Sequence, residues 1–126
     1  MRVWDVDPAI LCRQHLLGEH RELHGLWNIL VREEAGLGTG GYANHPETRR
    51  WEGRLKALFN RHEALVAEMG KRGYNHGSPL DPKLATGKAT QDRFVDHPGT
   101  QLDILRRKGC DCDVPPPSAL LTLRQG

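Results

Sequence analysis

The sequence predicts an all-α fold, a single compact domain of three main helices with long connecting loops. Three observations predict it. Apolar residues recur at three- and four-residue intervals over two long stretches. A proline preceded by Asp or His marks each helix start. No stretch alternates apolar and polar residues as a strand would. The length of 126 residues suits one domain with one modest core.

The first helix is expected to open at Asp7-Pro8, where the Asp side chain can accept from exposed amides and Pro lacks an N–H to lose. It is expected to run from Ala9 to Glu34, with Cys12, Leu16, Leu23, Trp27 and Leu30 on one stripe and Leu11, Leu26 and Ile29 widening it. The run Gly36-Leu37-Gly38-Thr39-Gly40-Gly41 ends it. His45-Pro46-Glu47 opens a second helix of about seven turns, carrying Trp51, Leu55, Leu58, Phe59, Leu65, Val66 and Met69 inward. Lys71-Arg72-Gly73 closes it, with cations at the dipole's negative end and Gly as the left-handed cap. Residues 74–95, rich in Gly and Pro, read as a long irregular loop. Asp96-His97-Pro98 starts a third helix, Thr100 to Lys108, with Leu102, Ile104 and Leu105. Residues 1–109 are thus the helical domain. Residues 110–126, with Cys110-Asp111-Cys112 and Pro115-Pro116-Pro117, are expected to form an extended tail.

Composition narrows the function. The net charge of +2 excludes a basic field over the whole molecule, so any grip on phosphates must be local. Residues 44–73 hold seven cations and four anions, whereas residues 1–40 hold four cations and six anions, which places the positive charge on and after the second helix. Three cysteines do not make a disulfide framework and indicate a reducing compartment. The opening MRVWDVDP lacks a signal pattern, and no apolar run approaches the ~18 residues of a membrane span. A cytoplasmic, monomeric protein with no membrane partner is expected. No phosphate-binding loop, dinucleotide fingerprint or nucleophilic serine elbow is present.

Chemistry concentrates on the first helix. Gln14, Gly18, Arg21, Glu22 and Gly25 form its polar stripe, and His15 lies in line with Glu22. Each interior Gly costs roughly 0.8–1 kcal/mol against Ala, so two on one stripe suit a surface that something approaches closely. A solvated polar face is the plainer reading. His20 and His24, four residues apart, are able to face one ion, but no third ligand has a compelling spacing. Cys110 and Cys112, with Cys12 and a histidine, would complete a four-ligand zinc site; reduced thiols in a tail is the simpler reading, and no metal is assigned. Histidines 45, 62 and 97 read as caps or packing residues, and Trp51 and Phe59 as core. Trp4 is expected to pack the N-terminal segment down.

Two strings carry a resemblance. Gln14-His15-Leu16-Leu17-Gly18-Glu19-His20-Arg21-Glu22-Leu23 and Glu68-Met69-Gly70-Lys71-Arg72-Gly73-Tyr74-Asn75 resemble the first helix and a later helix end of the phage-type pyrimidine dimer DNA glycosylases. The opening Met-Arg-Val-Trp and the segment Gly41-Tyr42-Ala43-Asn44-His45-Pro46 resemble small bacterial relatives. The similarity covers roughly residues 1–82. It implies an all-α fold whose N-terminus threads toward the first helix. It also implies glycosylase and abasic-site lyase activity on double-stranded damaged DNA, without a cofactor, and a nucleoid-associated location.

In that family the N-terminal α-amine attacks the sugar and a helix-borne glutamate assists, roles that fall on Met1 and Glu22. An α-amine has a reference pKa of ~7.7–8.0, so a useful fraction is neutral at physiological pH. Arg2, Gln14, His15, Arg21, Lys71, Arg72, Arg106 and Arg107 are the expected DNA contacts. Gly25 and Gln101 stand where the phage enzyme carries arginines, and the tail lacks an aromatic residue. A non-catalytic DNA-binding domain and a small metal-binding or interaction module are the alternatives.

Overall fold

The computed structural model describes residues 2–37, 44–75 and 78–114. Among these the architecture is helical with no strand, and three of four helices are long: α1 (Arg13–Glu34), α2 (Pro46–Arg50), α3 (Leu55–Lys71) and α4 (Pro98–Arg107). The expected fold class holds.

Helices α1 and α3 form the central pair. Leu16, Leu23, Leu26, Trp27 and Leu30 from α1 meet Leu55, Leu58, Leu65 and Met69 from α3, all buried. Leu102 and Leu105 of α4 complete one continuous core, joined by Val3, Trp4 and Val6 from the N-terminal segment.

Two expectations are corrected. The first helix does not begin at Ala9. Asp7 caps a single 3-10 turn, Pro8–Ile10, by accepting from the Ala9 amide at 2.9 Å. Leu11 is then extended (φ −70°, ψ 136°) and only 1% exposed. The kink lets Leu11 enter the core, and α1 starts anew with Cys12 as its N-cap. The guanidinium of Arg72 stabilises the kink by donating to the carbonyls of Pro8, Ala9 and Leu11, the last at 2.6 Å.

The expected seven-turn second helix is two helices. It breaks at Gly53, whose φ of +72° favours glycine. The long loop returns there to supply what a continuous helix would have supplied. The Lys56 amide donates to Thr86 O at 2.8 Å and the Ala57 amide to Lys88 O at 3.0 Å, satisfying first-turn donors of α3. At Gly87 a Cβ would fall 2.1 Å from Gly53 O, so only glycine permits this approach. Apolar spacing could not show the break, because Trp51, Leu55 and Leu58 face the core on both sides of it.

The remaining elements follow the sequence. His45 Nδ1 accepts from the Glu47 amide and His97 Nδ1 from the Gly99 amide, both at 3.1 Å, so the two His-Pro starts are true caps. Gly36 and Gly73 have positive φ at the ends of α1 and α3. Residues 38–43, part of the expected glycine loop, lie outside the described residues.

Candidate active site and nucleic-acid face

The N-terminal segment is extended, buried and has no strand to pair with, so side chains must satisfy its backbone. Val3 N–H donates to Glu47 Oε1 at 3.1 Å, and Val3 O accepts from Arg50 NH2 at 2.6 Å. Asp5 N–H donates to Gln101 Oε1 at 2.7 Å. Val6 O accepts from Arg61 NH1 at 2.6 Å. Three helices, α2, α3 and α4, thus hold backbone groups of Val3, Asp5 and Val6 in one short stretch.

These clamps are themselves fixed by charge. Arg50 is 4% exposed and lies between Glu47 and Asp5, stacked 4.5 Å from the Trp51 ring centre. Arg61 makes a two-pronged pair with Glu19, at 2.6 and 2.9 Å. Burial pushes the Glu19 carboxyl up and Arg61 opposes that shift. Glu19 interrupts the apolar stripe of α1, and its burial against Arg61 explains how a carboxylate is tolerated there.

The same segment lies along α1. The Trp4 ring meets the His15 ring edge-on, centroids 6.1 Å apart, and Arg2 lies over Trp4 while pairing with Asp96 at 2.9 Å. His15 and Glu22 are seven residues apart on one unbroken helix. That spacing puts them about 20° apart around the axis and about 10 Å along it. Met1, the expected nucleophile, lies outside the described residues.

Gln14, Arg21, Glu22 and Gly25 are exposed, and Gly18 is half-buried. A Cβ built on Gly18 or Gly25 meets nothing within 4 Å, so packing within the chain does not require either glycine. This polar face is open along about three turns of α1.

The other expected DNA contacts are spread out. Lys71 and Arg107 are exposed. Arg106 pairs with Asp103 on its own helix. Arg72 is tied to Glu68 at 2.8 Å and to the kink carbonyls, turning its charge inward. His15 is half-buried, with Nδ1 turned toward the sulfurs of Cys12 and Cys112 at 3.1 and 3.4 Å. Burial, then the Lys108 charge, holds its imidazole below the ordinary range.

Two clusters flank the polar face. At the start of α1, Cys12, His15, Cys110 and Cys112 bring their ligand atoms within 4.8 Å of one another. Residues 110–114 therefore do not leave the domain: the Asp113 amide donates to Ile10 O at 2.7 Å, and Cys112 and Val114 pack against the core. Farther along α1, His20 and His24 meet His62 of α3, again within 4.8 Å. His62 is the third histidine that local spacing lacked, and it is fully buried.

Sequence reasoning missed Glu47, Arg50, Gln101 and Arg61 as the residues that position the N-terminal segment. Glu47 and Arg50, three residues apart after a His-Pro start, look like an ordinary surface ion pair. Their burial depends on a segment more than 40 positions away. In the sequence Gln101 stands out only as the place of a missing arginine.

A family model described as pyrimidine dimer DNA glycosylase matches residues 1–82. No curated protein and no solved structure matches the chain.

Proposed function

The chain belongs to the pyrimidine dimer DNA glycosylase family, and from that premise we propose that it removes pyrimidine dimers and cuts the resulting abasic strand, with the Met1 α-amine as nucleophile and Glu22 beside the sugar. The observation that carries this reading is the clamp on Val3, whose N–H and C=O are both bonded to buried side chains two residues from the terminal amine. Fixing Val3 restricts the paths open to a reactive group two residues away, which is the positioning that this chemistry needs. Trp4 packs on His15, which lies in line with Glu22 two turns farther along α1.

The steps follow from the groups available. The neutral amine attacks C1′ and the glycosidic bond to the damaged base breaks, its electrons leaving with the base. The sugar ring opens as the amine forms an imine at C1′, with the carboxylate of Glu22 stabilising cationic sugar and moving protons. Loss of a C2′ proton then expels the 3′ phosphate by β-elimination, and water releases the amine. No metal or cofactor enters these steps.

Arg2 and Arg21 are assigned to phosphates flanking the lesion, and Gln14 to the DNA backbone or a base. Lys71, Arg106 and Arg107 are assigned to phosphates farther along the duplex. His15 and Arg72 support the site from within, one behind Trp4 and one under the kink before α1. The glycines at 18 and 25 let the duplex approach the helix backbone. Extruding a nucleotide costs a few kcal/mol, least at damage, and contributes selectivity. The protein acts as a monomer in the cytoplasm, on nucleoid DNA.

The test is strand cleavage on matched duplexes carrying a pyrimidine dimer, an abasic site or neither. The reading expects cleavage of the first two and none of the third. Binding to all three without cleavage would establish a DNA-binding domain that has lost catalysis.

A further inference from the structure

We propose that Cys12, His15, Cys110 and Cys112 bind one structural zinc ion, which fastens the chain after α4 to the start of α1. The four ligand atoms lie within 4.8 Å of one another, although the two halves are about a hundred positions apart in the chain. A tetrahedral zinc with bonds of about 2.3 Å to sulfur and 2.0–2.1 Å to nitrogen sets its ligands about 3.5–3.8 Å apart. His15 Nδ1 lies 3.1 Å from Cys12 Sγ and 3.4 Å from Cys112 Sγ, close to those edges.

Hydrogen bonding alone does not account for the cluster. A neutral imidazole nitrogen offers one lone pair or one proton, yet Nδ1 has two sulfurs within reach. One cation at the centre satisfies all four groups together. The Cys12 amide donates to Cys112 Sγ at 3.1 Å, and Cys12 stands at the N-cap position of α1, where the helix dipole favours negative charge. Three sulfurs and one imidazole select zinc over magnesium or calcium. The ion would hold His15 in place, and His15 is the residue that Trp4 packs against.

The test uses the full chain purified in reductant without chelator, then exchanged into cobalt. Stoichiometric zinc is expected, and cobalt should give a sulfur-to-metal charge-transfer band that saturates with the first equivalent. The Cys110→Ser/Cys112→Ser variant should lose that band. Absence of the band in the wild-type chain, its persistence in the variant, or a disulfide among the three cysteines overturns the assignment.

A different set of residues carries a second site. His24 Nε2 lies 3.2 Å from both His20 Nε2 and His62 Nε2, against about 3.3 Å expected for imidazoles on one tetrahedral zinc. His62 Nδ1 faces Glu63 Oε1 at 3.0 Å, the carboxylate support that metal-bound histidines use. Leu17, Arg21 and Ser78 line a cleft of about 510 Å³ beside His20 and His24, which leaves a coordination position open to solvent or substrate. The geometry points to a three-histidine cation site. A second cobalt equivalent should therefore add absorption without the sulfur band, and His24→Gln should abolish it while sparing the first. Saturation of the wild-type chain at one equivalent, or a second equivalent retained in His24→Gln, overturns this site alone.

Discussion

The backbone N–H of Val3 is bonded to the carboxylate of Glu47, 44 positions along the chain, at 3.1 Å. The same carboxylate accepts from Arg50 Nε at 2.9 Å and from Trp51 Nε1 at 3.2 Å. One buried acid therefore links the position of the N-terminal segment to the helix α2 and to the corner that follows it.

Glu47→Ala leaves Arg50 buried with Asp5 as its remaining counter-charge and removes the acceptor of the Val3 amide. Breaking a buried pair outright costs about 3–5 kcal/mol, and Asp5 holds the loss below that. Glu47→Gln keeps an acceptor for Val3 and should cost less. In both variants the rate of strand cleavage should fall more than affinity for duplex DNA, because what is lost is the position of the amine. Denaturant melts with cleavage and binding assays on the same preparations check this. Equal losses in rate and affinity would assign Glu47 to folding alone.

Gly18→Ala should separate stability from function. The open space around Gly18 admits a methyl group, so the helix should gain about 0.5–1 kcal/mol. If DNA passes close to α1 there, affinity for an abasic duplex should drop at the same time. A variant that is more stable and binds as well as the parent would remove the glycine face from the interface.

Glu22→Gln should abolish strand cleavage and leave duplex binding largely intact. The side chain is exposed, so a loss of fold is not expected. Unaltered cleavage, measured on an abasic duplex, would exclude Glu22 from the chemistry.

Glu33 at the end of α1 accepts two bonds from Arg49, at 2.6 and 3.0 Å, which hold its carboxyl below the ordinary range. Its contribution is therefore present above the unfolded value of about 4.3 and lost as pH falls through the folded value. Thermal melts from about pH 6 down to about pH 3 should show a shallower acid decline in Glu33→Gln than in the parent. Parallel declines would show that this partly exposed pair adds nothing measurable.

Much of the fold was legible because helix starts are local chemistry. His45 and His97 cap by accepting from an amide two residues on, and the motif is visible in the string itself. Glycines 36 and 73 end helices where the sequence placed the ends. The kink at Leu11 and the break at Gly53 were not legible, because Arg72 stabilises one and the returning loop at Thr86–Lys88 the other. The same reason hid the site's supports. Glu22 and Arg21 stand in a recognisable string, but Gln101 is informative only once it is seen holding the Asp5 amide. His20 and His24 announced a pair by spacing, and only the packing of α1 on α3 supplies His62.

The most direct measurement is borohydride trapping of the full chain on an abasic duplex, followed by peptide mapping of the adduct. One covalent product is expected, with the deoxyribose carbon on the α-amine of Met1. An adduct on a lysine side chain, or none from protein that binds the duplex, would contradict that expectation.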